Sequence, residues 1–197
     1  VSVSLKPSSV VWLGRVSMCG SDDPEALWRD LVDAGREPRL ILLCGLPGSG
    51  KTTLAKRLAK EVPAVRLCPD EWMADLGIDL FDEQTRDRLE RRFSQHAEEL
   101  LTRGQSVILE FGFWARSERD EKRLGARALG VPVELHYLAA SIDELCRRLE
   151  ARNGEGEWGT VPITRAMLEE YAELFEAPSS DELGLFDEPP PGRLRTE

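Results

Sequence analysis

The run Gly45-Leu46-Pro47-Gly48-Ser49-Gly50-Lys51-Thr52 constrains this chain more than any other stretch of its sequence. It fits the pattern G-x-x-x-x-G-K-[ST] in full, and its flanks supply the context that gives the pattern meaning. Before it, Leu40-Ile41-Leu42-Leu43-Cys44 is an unbroken apolar run that predicts a buried strand. After it, Leu54, Leu58 and Val62 recur every fourth residue, with Lys56, Arg57 and Lys60 between them, until Pro63 ends the pattern. That spacing predicts an amphipathic helix. A glycine-rich turn between strand and helix lets backbone N–H groups curl around phosphate oxygens at the positive end of the helix dipole. Lys51 then reaches the β- and γ-phosphates, and Thr52 offers its hydroxyl to Mg²⁺. Gly45 to Thr52, with Thr53 following, is therefore the predicted nucleotide-binding segment.

Strand and helix patterns alternate onward from this point. Val65–Leu67 reads as a short strand, Gln84–Arg103 as a helix with Leu89, Phe93, Ala97 and Leu101 on one face, and Ser106–Phe113 as a strongly apolar strand. Ser117-Glu118-Arg119-Asp120 has the form of a capping box, and Ser141-Ile142-Asp143-Glu144 repeats it ahead of another helix. Val133–Leu138 is a strand between them. The second of these helices is expected to break at Asn153-Gly154, where a Gly/Glu segment to Gly159 could serve as a lid; Thr164 caps the next helix. Such alternation predicts an α/β fold, a mostly parallel sheet with helices on both faces in three layers. The domain is expected at residues 38–177. An extension with a short accessory helix precedes it at 1–37, and the acidic, proline-rich residues 178–197 read as a tail.

The formal net charge is −10, the wrong overall sign for a protein that lives on nucleic acid, so phosphate chemistry here calls for a local basic site. Four scattered cysteines and two histidines offer no zinc spacing. No run of roughly 18 apolar residues appears, so no membrane partner is expected and the cytoplasm is the expected location. The single asparagine, Asn153, is followed by Gly154, so the N-K-x-D element that reads guanine is absent and ATP is the expected nucleotide.

Several residues could carry chemistry around that nucleotide. Asp70 follows a predicted strand, where open α/β sheets bind ligands, and its carboxylate can orient an alcohol and accept its proton; as an alternative it caps a short helix. Glu110 ends the third strand at a position from which an acid holds Mg²⁺ or its water, or orients the acceptor, or is simply a strand-end carboxylate. Trp72 and Trp114 are either pocket walls for an acceptor or core residues. Arg148 and Arg152, four apart, share one helix face as two clamps on a triphosphate need to, although pairing with Glu144 or Glu150 competes with that reading. Arg86, Arg88, Arg91, Arg92, Arg116 and Arg119 alternate with acids and read mostly as solvated, with Arg116 the candidate acceptor contact.

The glycine loop, Asp70 after the second strand, and Arg148-Leu149-Glu150-Ala151-Arg152-Asn153 together resemble the P-loop small-molecule kinases that include zeta toxins, chloramphenicol phosphotransferase and the kinase domain of polynucleotide kinase. The resemblance spans residues 39 to 176 and implies a P-loop NTPase fold similar to adenylate kinase, with an arginine-bearing lid. It further implies that Asp70 faces the acceptor hydroxyl and that Arg148 and Arg152 cover the triphosphate. The family more often has Asp at the position of Glu110. The expected activity is transfer of a phosphoryl group from ATP, with Mg²⁺, to a hydroxyl of a small molecule such as a sugar, nucleoside or antibiotic. A nucleic-acid 5′-hydroxyl kinase and an ATP-gated switch with slow hydrolysis are the alternatives.

Overall fold

The apolar run ahead of the glycine loop forms β1 (Leu40–Cys44), in which every residue is buried. The computed structural model describes residues 37–155 and 162–190. Residues 1–36 of the predicted extension, 156–159 of the predicted lid and 191–197 of the predicted tail lie outside the described residues. β2 (Ala64–Leu67), β3 (Ser106–Gly112) and β4 (Val133–Tyr137) join β1 in one sheet of order β2-β3-β1-β4. All three pairings are parallel, with Leu42 beside Leu109 on one side and Leu135 on the other.

A central parallel strand is buried on both faces, and the alternation of β1 divides its side chains between two layers. Ile41 and Leu43 pack with Leu54, Ala55 and Leu58 of α1 (Lys51–Glu61). Leu40, Leu42 and Cys44 face the opposite layer, where Phe93, Ala97 and Leu101 of α3 (Glu83–Thr102) and Ala126 of α4 (Arg116–Ala128) cover the sheet. Between β2 and α3 lies α2 (Pro69–Asp75). After β4, α5 (Ile142–Glu155) and α6 (Arg165–Leu174) pack together over Leu46 of the glycine loop. The chain leaves β1 towards β2 and leaves β3 towards β4, so the order reverses between these two neighbours. A crevice at their carboxyl ends is where such sheets bind ligands.

Local signals account for most helix starts. Asp82 accepts from Thr85 N at 3.0 Å, Ser141 Oγ from Glu144 N at 3.3 Å, and Thr164 Oγ1 from Met167 N at 3.3 Å. Two boundaries differ from the sequence expectation. α4 begins at Arg116 rather than after Ser117, because Glu118 Oε2 accepts from the backbone N of Ala115 at 3.0 Å and sets the first turn earlier. α5 continues through Glu155 rather than breaking at Asn153-Gly154.

The larger correction concerns the chain after residue 178. The expected tail is ordered into α7 (Ser180–Leu183) and an irregular stretch packed on the domain through Pro190. Arg119, expected on a solvated face, is fully buried and forms a two-pronged pair with Glu182, Nε to Oε1 at 2.6 Å and Nη2 to Oε2 at 3.0 Å. Asp187 exchanges two hydrogen bonds of 2.7 Å with the backbone of Val133 and pairs with Arg127 at 2.8 Å. The acids that made the segment look like a tail are its attachment points.

Removing one partner of a buried pair strands the other charge, at a cost of about 3–5 kcal/mol. Glu182→Ala is therefore expected to lower stability by that amount, read as a fall in the urea midpoint at unchanged slope. A loss below about 1 kcal/mol, the range of exposed pairs, would mean that water reaches Arg119.

Candidate active site

The glycine loop is shaped around an opening for phosphate. Gly45 has φ +147°, and a Cβ there would stand 2.9 Å from both the Leu138 carbonyl oxygen and Ser49 Oγ. Gly50, with φ +98°, is the N-cap of α1 and turns the chain into the helix. Lys51 Nζ donates to the carbonyl oxygens of Gly45 and Leu46 at 2.8 and 2.9 Å, so the ammonium lies across the loop mouth. Burial lowers the pKa of this ammonium, against the charges of Asp70 and Glu110, which raise it. Ser49 Oγ is buried with no hydrogen-bond partner. A buried polar atom without a partner and a glycine cradle with no room for Cβ both fit a loop whose partners arrive with a nucleotide.

Parallel pairing of β1 with β3 brings Glu110 against this loop. Thr52 Oγ1 donates to Glu110 Oε1, while Arg66 Nε of β2 donates to Glu110 Oε2 at 2.8 Å. Arg66 also reaches Glu71 Oε2 through Nη1 at 2.7 Å. Burial opposes the Arg66 charge, but the hydrogen bond to Glu71 and the charge of Glu110 outweigh it and hold the guanidinium pKa above its ordinary value. The Arg66 hydrogen bond holds the Glu71 carboxyl down at about 2, with Lys56 assisting against burial. Hydroxyl and carboxylate at Thr52 and Glu110 form a hard oxygen pair suited to Mg²⁺, which takes one or two protein ligands and fills its remaining positions with water and phosphate. Among the described residues no group of three or more His, Cys, Asp or Glu converges on a metal position.

Asp70 lies in the first turn of α2, and the cap position belongs to Cys68, so the capping alternative is corrected. The Asp70 side chain is 61% exposed, its Oδ1 is 2.7 Å from Arg86 Nη1, and no contact engages Oδ2 among the described residues. Arg86 also lies 3.9 Å from Glu90, one turn further along α3. Beyond Glu90 opens a cavity of about 180 Å³ between the first halves of α3 and α4, with Phe111 and Phe113 of β3 and its loop on its wall. Phe113 holds φ +49°, a strained value for a non-glycine residue, and its carbonyl accepts from Arg119 Nη1 at 2.9 Å.

The two tryptophans are not brought together. Trp72 is half exposed and sits edge-on to Phe93, with ring centroids 5.0 Å apart, whereas Trp114 packs with Tyr171 in the α5–α6 layer. Arg116 is exposed on the first turn of α4, 3.5 Å from Asp120, and does not line the cavity. Arg148 lies beside the loop, its Nη1 donating to Ser49 O at 3.3 Å, and it also carries the Glu144 pair at 2.6 Å. Arg152, one turn on, has a buried Nε without a hydrogen-bond partner among the described residues.

The family model described as AAA domain matches residues 40–178. The chain belongs to this family. A curated relative, "Probable adenylyl-sulfate kinase" from Aeropyrum pernix, is 33% identical over 115 residues, which cover 55% of this chain and 63% of the relative, so the match stops short of two thirds of that protein. Among solved structures, a gluconokinase from Sinorhizobium meliloti 1021 superposes with a TM-score of 0.52 at 22% identity, covering 74% of this chain and 79% of that one. A sugar kinase from Janibacter sp. HTCC2649 gives 0.53 at 23% identity, covering 74% and 82%. The relative and both solved structures are named as kinases, and the AAA-domain match and the shared fold agree with the P-loop architecture read from the sequence.

Sequence reasoning missed three residues of this AAA-domain site: Arg66, Arg86 and Glu90. Arg66 interrupts the short apolar strand Ala64–Leu67, which is the one local sign that it has a buried partner. For Arg86 and Glu90 there is none, since both resemble the other charges on α3. Burial, together with the charges of Glu118, Asp87 and Asp70 and against that of Arg86, pushes the Glu90 carboxyl up to about 7. A folded pKa above the unfolded value makes the native state hold its proton longer, so stability is lost as pH rises from about 4.5 through about 7. Glu90→Gln removes that dependence. Its melting temperature is expected to exceed the parent's at pH 8 and to converge with it near pH 4; a constant offset across that range would mean that Glu90 titrates normally.

Proposed function

We propose that this chain transfers the γ-phosphoryl group of ATP to a hydroxyl of a small molecule, with Asp70 as the group that orients the hydroxyl and takes its proton. The observation that carries the proposal is the Asp70 carboxylate itself. It follows β2 at the carboxyl end of the sheet, within the field of Lys51, with Oδ1 2.7 Å from Arg86 Nη1 and Oδ2 without a hydrogen bond or ion pair among the described residues. A carboxylate held this way can accept a proton while its position is set by a cation that never leaves. The sequence relationship to a relative named as an adenylyl-sulfate kinase supports a small acceptor.

In the reaction the acceptor oxygen forms a bond to the γ-phosphorus while the bond from that phosphorus to the bridging oxygen of ADP breaks. The acceptor proton passes to Asp70. Lys51 exchanges its carbonyl partners for the β- and γ-phosphates, and Arg148 and Arg152 approach the triphosphate from α5 to offset the charge on its oxygens. Thr52 and Glu110 would hold Mg²⁺, which supplies further neutralisation of phosphate charge. Arg66 holds the Glu110 carboxylate in place through its hydrogen bond to Oε2.

ADP release from Mg-ATP, measured against pooled hydroxyl compounds that include a 5′-hydroxyl oligonucleotide, tests the proposal. Acceptor-dependent turnover is expected, and Lys51→Ala should reduce it to background. Asp70→Asn should keep ATP affinity and lose roughly 10²- to 10⁴-fold in turnover, the usual worth of a positioned base. Transfer by Asp70→Asn within a few-fold of the parent would remove Asp70 from the mechanism. A response confined to the oligonucleotide would replace the small acceptor with a nucleic-acid end.

A further inference from the structure

The cavity beside Glu90 is built from two helix faces that meet across it. On α3, Asp87, Glu90 and Arg91 fall three and four residues apart, and on α4 Glu118, Glu121 and Lys122 repeat that spacing. The lining thus holds four carboxylates against two cations, with the rings of Phe111 and Phe113 behind them. The cations do little to balance it: Lys122 is tied to Glu121 at 2.6 Å, and Arg91 lies exposed. Asp87 has no ion pair or hydrogen bond among the described residues, and Glu90 has only Arg86 at 3.9 Å.

Cations nearer the reacting end are committed as well. Arg66 is held by Glu110 and Glu71, Arg86 by Asp70, and Lys56 by Glu71 at 3.1 Å. An anionic acceptor would have to break one of these pairs and then face the cavity's carboxylates. A cationic acceptor needs no such exchange. Its ammonium donates charge-assisted hydrogen bonds to Asp87, which has no ion pair among the described residues, and to Glu90, whose nearest cation is 3.9 Å away. Glu118, with Oε2 on the backbone N of Ala115, adds its charge, and the ring faces attract the same cation.

We propose that the acceptor is a hydroxyl compound bearing a positively charged amine, with the ammonium held among Asp87, Glu90 and Glu118 beside the Phe111 ring and the hydroxyl directed to Asp70. This rests on the phosphotransferase reading and narrows it. The amine stays unchanged as the hydroxyl oxygen gains the phosphoryl group and gives its proton to Asp70. A cavity of about 180 Å³ lies below the ~300–1,000 Å³ of drug-sized sites, which limits the part it encloses to monosaccharide size or less. The raised carboxyl pKa of Glu90 agrees, because burial among like charges is the condition that an arriving cation relieves.

Two matched triads test this on the full chain with Mg²⁺ and a non-hydrolysable ATP analogue at neutral pH: serinol, glycerol and glycerol 3-phosphate; and glucosamine, N-acetylglucosamine and glucose 6-phosphate. Saturation-transfer NMR reads binding, and ADP release with authentic ATP reads transfer. The amine of each triad is expected to bind best. Glu90→Gln should weaken that amine about tenfold or more, and Asp87→Asn, at an exposed position without partners, should weaken it in the same direction without a folding defect. Binding led by the neutral or phosphorylated members, no binding by any, or amine binding indifferent to both substitutions would overturn the proposal. Amine binding without transfer would keep the pocket assignment and count against the kinase reading. Transfer led by a neutral or anionic member would keep the kinase reading and end this one.

Discussion

Because β1 and β3 run parallel and side by side, the loop that follows Cys44 and the carboxylate of Glu110 leave the sheet at the same place. Thr52 and Glu110 are 58 residues apart, and this pairing brings them within hydrogen-bond reach. The apolar residues of β1 are thus more than core. They fix the height at which the first turn of α1 presents its N–H groups, and β3 delivers an acid to that height. Arg66 enters from β2 by the same parallel logic and fixes the acid through Oε2. Three adjacent strands each contribute one element of the site at their carboxyl ends.

A second pattern governs electrostatics. Around the reacting end, Arg66, Arg86 and Arg148 each lie against a carboxylate, and Lys51 lies on backbone carbonyls. These are not surface pairs of convenience. In each case one partner also touches the loop, the strand-end acid or Asp70, so the cation fixes the place of that group. Such arrangements hold the site open against collapse of its own like charges.

Features of the sequence with short reach were the ones it disclosed. The glycine loop, the caps at Ser141 and Thr164 and the apolar face of α3 all depend on residues within a turn or two of each other, and the structure carries each of them. Lys51 and Thr52 lie on the loop itself and were legible for the same reason, whereas Arg148 reaches Ser49 from 99 residues away. Arg119 and Glu182 are 63 residues apart, and Arg66 and Glu110 are 44 apart. A charged residue in a strand or an acid in a proline-rich stretch takes its meaning from a distant partner, and no periodicity marks that partner. The tryptophans are separated on a related ground: α2 and the loop before α4 carry them into different layers, while Phe111 and Phe113 line the cavity.

The Arg119–Glu182 pair joins the loop behind the cavity to a segment near the far end of the chain, past the residues that the family shares. Arg119 donates to the carbonyls of Phe113 and Trp114, so the strained turn at Phe113 is braced by a guanidinium whose own counter-charge is translated 63 residues later. During translation the sheet can assemble as soon as β4 emerges, yet Arg119 lacks the Glu182 carboxylate until residue 182 clears the ribosome. A growing chain therefore carries a folded glycine loop before the turn at Phe113 has its full brace.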